Sequence, residues 1–208
     1  MKTGISCLYT VLLLSGLTVH GQGTFIFDQE SADENVSGPA GDIEAFQPIG
    51  QSFVPGLNSI GFVRLNLRDL NPANSLGATV IVNLRSGSIT GSVVGSTDPV
   101  FMADGFNGYP DFFFSTPVSL TPGTTYFLQP QVQSGDSWGV VAYHFAYPNG
   151  TLFVGGAADV NNDLWFREGR YIPEPSSVGL ILIGLGGLAW RRRKFGADDR
   201  QRKLQNQR

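Results

Sequence analysis

Between Gly23 and Ile172 the apolar residues alternate with polar ones in short runs, and none of these runs holds a 3.6-residue period. Strict alternation sends successive side chains to opposite faces of a strand, so this pattern stabilises half-buried sheets and argues against a helical bundle. In Phe62-Val63-Arg64-Leu65-Asn66-Leu67, the apolar Val63, Leu65 and Leu67 alternate with Arg64 and Asn66. In Ala78–Leu84 the inward set is Ala78, Val80, Val82 and Leu84. Leu120–Leu128 reads as a Pro122-Gly123 turn opening a strand, and Trp138–Tyr143 and Leu164–Arg167 add two more. With 27 glycines and 12 prolines among 208 residues, turns punctuate the whole segment. The prediction is one all-β domain over residues 22–172, an antiparallel β-sandwich or jelly roll, with enough chain for its own core.

The two ends follow different rules. Lys2 precedes an apolar run from Leu8 to Leu14 that continues through Leu17 and Val19, and Val19-His20-Gly21 has the small-x-small form of a cleavage site before Gln22. Residues 1–21 therefore read as a secretory signal peptide, too short for a membrane anchor. The one cysteine, Cys7, lies ahead of the apolar run, and an intramolecular disulfide is excluded. At the other end Ser176–Trp190 is a largely apolar run with no charged residue, about 22 Å long as a helix at ~1.5 Å per residue. Trp190 stands at its end, followed directly by Arg191-Arg192-Arg193-Lys194. An interfacial tryptophan and a cationic stop read as a short transmembrane helix over 176–190, body outside the cytoplasm and basic tail (195–208) within.

This partition explains the charge. The net −3 of the whole chain averages a body (23–172) with 14 acidic residues, five arginines and no lysine, net −9, and a segment 191–208 at +6. A nucleic-acid binder would carry its cations on the folded domain, so no nucleic-acid partner is expected, and anionic partners are disfavoured generally.

Between body and membrane segment stands Ile172-Pro173-Glu174-Pro175-Ser176, kept extended by its prolines. Here the chain resembles the PEP-CTERM sorting signal of exported Gram-negative bacterial proteins. Pro173, Glu174 and Pro175 match the triplet, Val178–Trp190 the membrane stretch, and Arg191, Arg192 and Arg193 with Lys194 the basic cluster, over 173–194. The resemblance implies recognition by an exosortase-type membrane enzyme that cleaves near the triplet. Export, anchoring in the inner membrane before processing and a surface or secreted location afterwards are implied with it. So is an association with extracellular polysaccharide and biofilm matrix. Within the body, Leu120–Leu128, Gln51-Ser52-Phe53 and Asp163–Arg167 resemble jelly-roll modules of bacterial surface proteins, similar in build to carbohydrate-binding modules.

The chemistry-bearing residues point the same way. His144 is the only histidine after residue 21 and no Gly-x-Ser-x-Gly elbow accompanies it, so a strand end or a packed aromatic cluster with Tyr143, Phe145 and Tyr147 is the expectation. Asp159-x-Asn161-x-Asp163 begins like a calcium loop but has Leu164 where glycine is required and Arg170 where a bidentate glutamate is required; a self-bonded Asx turn is expected instead. No cofactor or metal site is expected. The aromatics Trp138, Trp165, Tyr109, Tyr143, Tyr147 and Phe112–Phe114 suit either a core or sugar stacking, with Trp138 and Trp165 the candidate carbohydrate contacts. The sequence reading is an exported, non-enzymatic surface protein; the alternatives are a carbohydrate-binding module and, behind it, a glycoside hydrolase or lyase.

Overall fold

A computed structural model describes residues 23–35, 38–145 and 147–173. The segments read from the sequence as a signal peptide (1–21) and a transmembrane helix (176–190), and most of the sorting segment, lie outside these residues. Residues Phe25–Tyr171 form one compact unit.

Sixteen strands run through the described residues. In chain order they are β1 (Thr24–Ser31), β2 (Ala40–Asp42), β3 (Gly50–Phe53), β4 (Ser59–Leu65), β5 (Leu67–Asp69), β6 (Ala78–Ser86), β7 (Ser92–Ser96) and β8 (Val100–Met102). There follow β9 (Asn107–Gly108), β10 (Asp111–Ser119), β11 (Tyr126–Gly135), β12 (Trp138–Tyr143), β13 (Leu152–Val154), β14 (Ala157–Asp159), β15 (Asp163–Leu164) and β16 (Phe166–Ile172). One sheet has the order β14-β13-β3-β11-β6-β7, with β8 also on β6. A second has the order β1-β16-β4-β10, and a third β15-β12-β5-β9, with β2 on β12. The resolved ladders are antiparallel, as an all-β sandwich requires.

Alternation sets the core. Ala78, Val80, Val82 and Leu84 of β6 are buried together, and Val63, Leu65 and Leu67 meet them with Phe112, Leu128, Val140 and Phe166 in one apolar cluster. Phe62 breaks the simple pattern. It points to the outer side of β4 yet is fully buried, because Phe25 packs edge-on at 4.8 Å and Phe27 and Phe113 close over it. The turn at Pro122-Gly123 is also present: the Thr124 N–H donates to the Thr121 carbonyl at 3.1 Å, and Gly123 takes φ 79°. That geometry is a type II turn, which favours glycine at its third position.

Three segments set apart in the sequence as jelly-roll-like meet at one residue. Gln51 of β3 pairs with Leu128 of β11, and its side chain reaches the start of β15. Its Nε2 donates to Asp163 Oδ1 at 2.8 Å, while its Oε1 accepts the Leu164 N–H at 2.8 Å. Asp163 Oδ2 accepts the Tyr147 N–H at 2.9 Å. This buried polar knot ties β3 to β15, which identifies those motifs as structural.

Candidate functional site

Two strands pass from the second sheet to the third with one residue between: Asn66 joins β4 to β5, and Trp165 joins β15 to β16. A third path does the same through Tyr109 and Pro110, between β9 and β10. The pairs Arg64↔Asp111 and Arg68↔Asn107 fix the register on either side. The Leu65 N–H donates to Pro110 between them, so Asn66 faces Tyr109 across the strands. On its other side the Asn66 N–H donates to the Trp165 carbonyl. Residues two apart on a strand share a face. This corner therefore presents Arg64, Asn66 and Arg68 on one strand, with Asn107, Tyr109 and Asp111 beside them.

The Tyr109 and Trp165 rings meet at 4.4 Å. Trp165 is only 1% exposed and forms the floor, while Tyr109 is 41% exposed. Around Tyr109 lies a cleft of about 280 Å³ bordered by Glu34, Asn35, Asn66, Arg68, Asn107 and Gly108. Asn66 is 6% exposed, and its Oδ1 has no donor among the described residues; the Arg68 Nε likewise has no acceptor. The neighbouring cations are committed. Arg64 clamps Asp111 through Nε and a terminal nitrogen (2.6 and 2.9 Å), and Arg167 bonds Glu30 and Glu34 at 2.8 and 2.7 Å. The Asp111 hydrogen bonds hold the Arg64 guanidinium above its usual pKa against the opposing effect of burial.

Trp138 and Trp165 stand corrected as carbohydrate contacts. Trp138 is 0% exposed and packs on Phe106 at 6.0 Å, and Trp165 is sealed beneath Tyr109, so neither indole offers a free face to a sugar ring. Trp138 lies in the core cluster with Val140, two residues on along β12, in a strand buried on both sides at that point. Trp165 is covered by a strand that alternation cannot place beside it. His144 lies exposed next to Tyr143, its Nδ1 donating to the Asn161 carbonyl at 2.5 Å. The Asp159–Asp163 segment is a self-bonded turn: Asp159 accepts the Asn161 N–H at 3.1 Å and the Asn162 amide at 2.8 Å, while Asp163 turns inward to the polar knot. Among the described residues no group of three or more His, Cys, Asp or Glu side chains comes together to hold a metal.

Sequence reading also passed over Glu168. It points inward on β16 with 0% exposure, neither oxygen reaches hydrogen-bond geometry with a described residue, and burial pushes its carboxyl up to about 9. The Asp28 carboxylate, which accepts the Gly56 and Leu57 N–H groups at 2.8 Å, raises it further. Burial likewise pushes the nearby Tyr147 phenol up, and that hydroxyl donates to Gln29 at 2.8 Å. The available signal was phase: two residues past the inward Phe166, Glu168 must also point inward.

Of the sorting residues, only Pro173 is described, exposed and directly after the last residue of β16, Ile172. Glu174, Pro175, Arg191, Arg192 and Arg193 lie outside the described residues. Among the described residues no helix is long and apolar enough to cross a membrane. A β-sandwich whose final strand runs straight into a Pro-Glu-Pro segment has the layout of a cargo domain with a C-terminal sorting signal. The comparison with protein families agrees: residues 172–194 match the PEP-CTERM protein-sorting motif, so the chain carries that signal. No curated protein matches the chain.

Proposed function

We propose that the chain is an exported, non-enzymatic surface protein associated with extracellular polysaccharide. A signal peptide (1–21) delivers it, and an exosortase-type membrane enzyme sorts it through Pro173-Glu174-Pro175. The observation that carries this reading is the motif match over 172–194, which begins on the last residue of β16. Cleavage near the triplet would free the sandwich without cutting a strand. Segment 176–190 anchors the chain in the inner membrane until then, with Arg191–Lys194 and the tail (195–208) on the cytoplasmic side. The net −9 of the body supports an uncharged matrix over nucleic acid or another polyanion. The Tyr109 cleft contributes one carboxylate, Glu34, already bonded to Arg167, which supports binding over acid–base hydrolysis by paired carboxylates.

Fractionation of cells expressing the full chain, beside a variant with Pro173, Glu174 and Pro175 all replaced by alanine, tests the reading. The native chain should leave the cytoplasm and be processed at both ends, and the variant should accumulate in the inner membrane. Native chain found in the cytoplasm with its N-terminus intact would refute the proposal.

A further inference from the structure

We propose that the cleft at Tyr109 binds an uncharged sugar unit of an extracellular polysaccharide, an inference that rests on the reading of the chain as an exported matrix protein. In two residues that line this cleft, the Asn66 Oδ1 acceptor and the Arg68 Nε donor are buried and have no partner among the described residues. A buried polar atom without a partner costs about 1–3 kcal/mol, and a hydroxyl-rich ligand supplies both kinds of partner at once. Asn66 and Arg68 are alternate residues on one strand face, ~7 Å apart along the chain, a spacing that hydroxyls around one sugar ring can bridge. Asn107, opposite Arg68, adds an amide that both donates and accepts.

Tyr109 supplies the apolar part of the recognition. The residue is 41% exposed and its ring is supported by Trp165 at 4.4 Å, so it is held in place before a ligand arrives. The C–H face of a sugar stacks on such a ring while its hydroxyls turn toward the amides and guanidinium. Charge selects the class of ligand. Arg64 is paired with Asp111 and Arg167 with Glu30 and Glu34, which leaves Arg68 as the one hydrogen-bond-donating cation lining the cleft, while the body as a whole, at net −9, repels polyanions. A volume of about 280 Å³ lies just under the ~300–1,000 Å³ of drug-sized ligand sites, which suits one ring of a longer chain.

The test is calorimetric titration of the exported protein with soluble oligomers of glucose, mannose and galactose, and separately with a polyuronate oligomer. Tyr109→Ala and Arg68→Gln are titrated in parallel after circular dichroism confirms that they fold. At least one neutral oligomer should bind, the polyuronate should not, and each variant should lose roughly tenfold or more in affinity. The proposal is overturned if no neutral oligomer binds, if only the polyuronate binds, or if both folded variants bind like the native protein. Those results on a protein that is exported and processed remove the sugar site alone. A chain that stays in the cytoplasm removes the reading beneath it.

Discussion

Replacing Glu168 with glutamine should remove most of the pH dependence that one buried carboxyl imposes on this fold. The side chain has no exposed surface, and its carboxyl is raised from 4.5 to about 9, first by burial and then by Asp28 on the neighbouring strand. An acid that holds its proton more tightly when folded contributes full stability below its unfolded value and loses it as pH climbs toward its folded value. The window is therefore 4.5 to about 9, with stability falling as pH rises. At ~1.4 kcal/mol per unit, the interval from pH 5 to pH 8 corresponds to at most about 4 kcal/mol. Glutamine keeps the shape and cannot ionise. Urea unfolding of the native protein and Glu168→Gln at several pH values across this interval isolates the effect, since every other titrating group is common to both. The native protein should lose stability relative to the variant with each step upward, leaving the variant the more stable at pH 8. Two stability curves running parallel from pH 5 to 8 would refute the reasoning, because Glu168 would then be ionised at no cost in the fold.

Three further outcomes are expected. Asp163→Ala strips the acceptor from both Gln51 Nε2 and the Tyr147 N–H and should cost about 3 kcal/mol in chemical denaturation; a loss below ~0.5 kcal/mol would mean that the knot is not holding β3 to β15. Gly123→Ala puts a Cβ on a residue at φ 79° and should cost roughly 1 kcal/mol, read as a lowered thermal midpoint. A double-mutant cycle on Arg64 and Asp111, a half-buried bidentate pair, should return a coupling of about 1 kcal/mol that shrinks in high salt, and zero coupling would count against the observed geometry.

How much of this was legible in the chain depended on distance along it. Alternation named Val63, Leu65 and Leu67 and the whole inward set of β6, because the strand period is a local property. The Pro122-Gly123 turn and the Asx turn at Asp159 were legible for the same reason: their hydrogen bonds close within a few residues. The PEP-CTERM signal was legible as an ordered string of residue types. The corner at Tyr109 was not. Asn66, Tyr109 and Trp165 come together only because three strand paths pass between sheets in one register, and register is set by pairing across 43 and 99 positions of chain. The same pairing buries Trp165, so the aromatic that composition favoured for sugar contact became the support of one that it did not single out. Phe62 and Glu168 escaped for a related reason. Phase tells which face a side chain takes, and only the neighbouring strand tells what covers that face.

As proposed, this sandwich is cargo, carried out by one terminal signal and released at another. Intact mass of the protein recovered from the extracellular fraction tests it most directly. Processing at both ends yields a species well below the 22.4 kDa of the full chain, beginning at Gln22 and ending near Pro173–Pro175, so that β1 through β16 remain whole. A full-length 22.4 kDa chain in the cytoplasm, both termini intact, would contradict it.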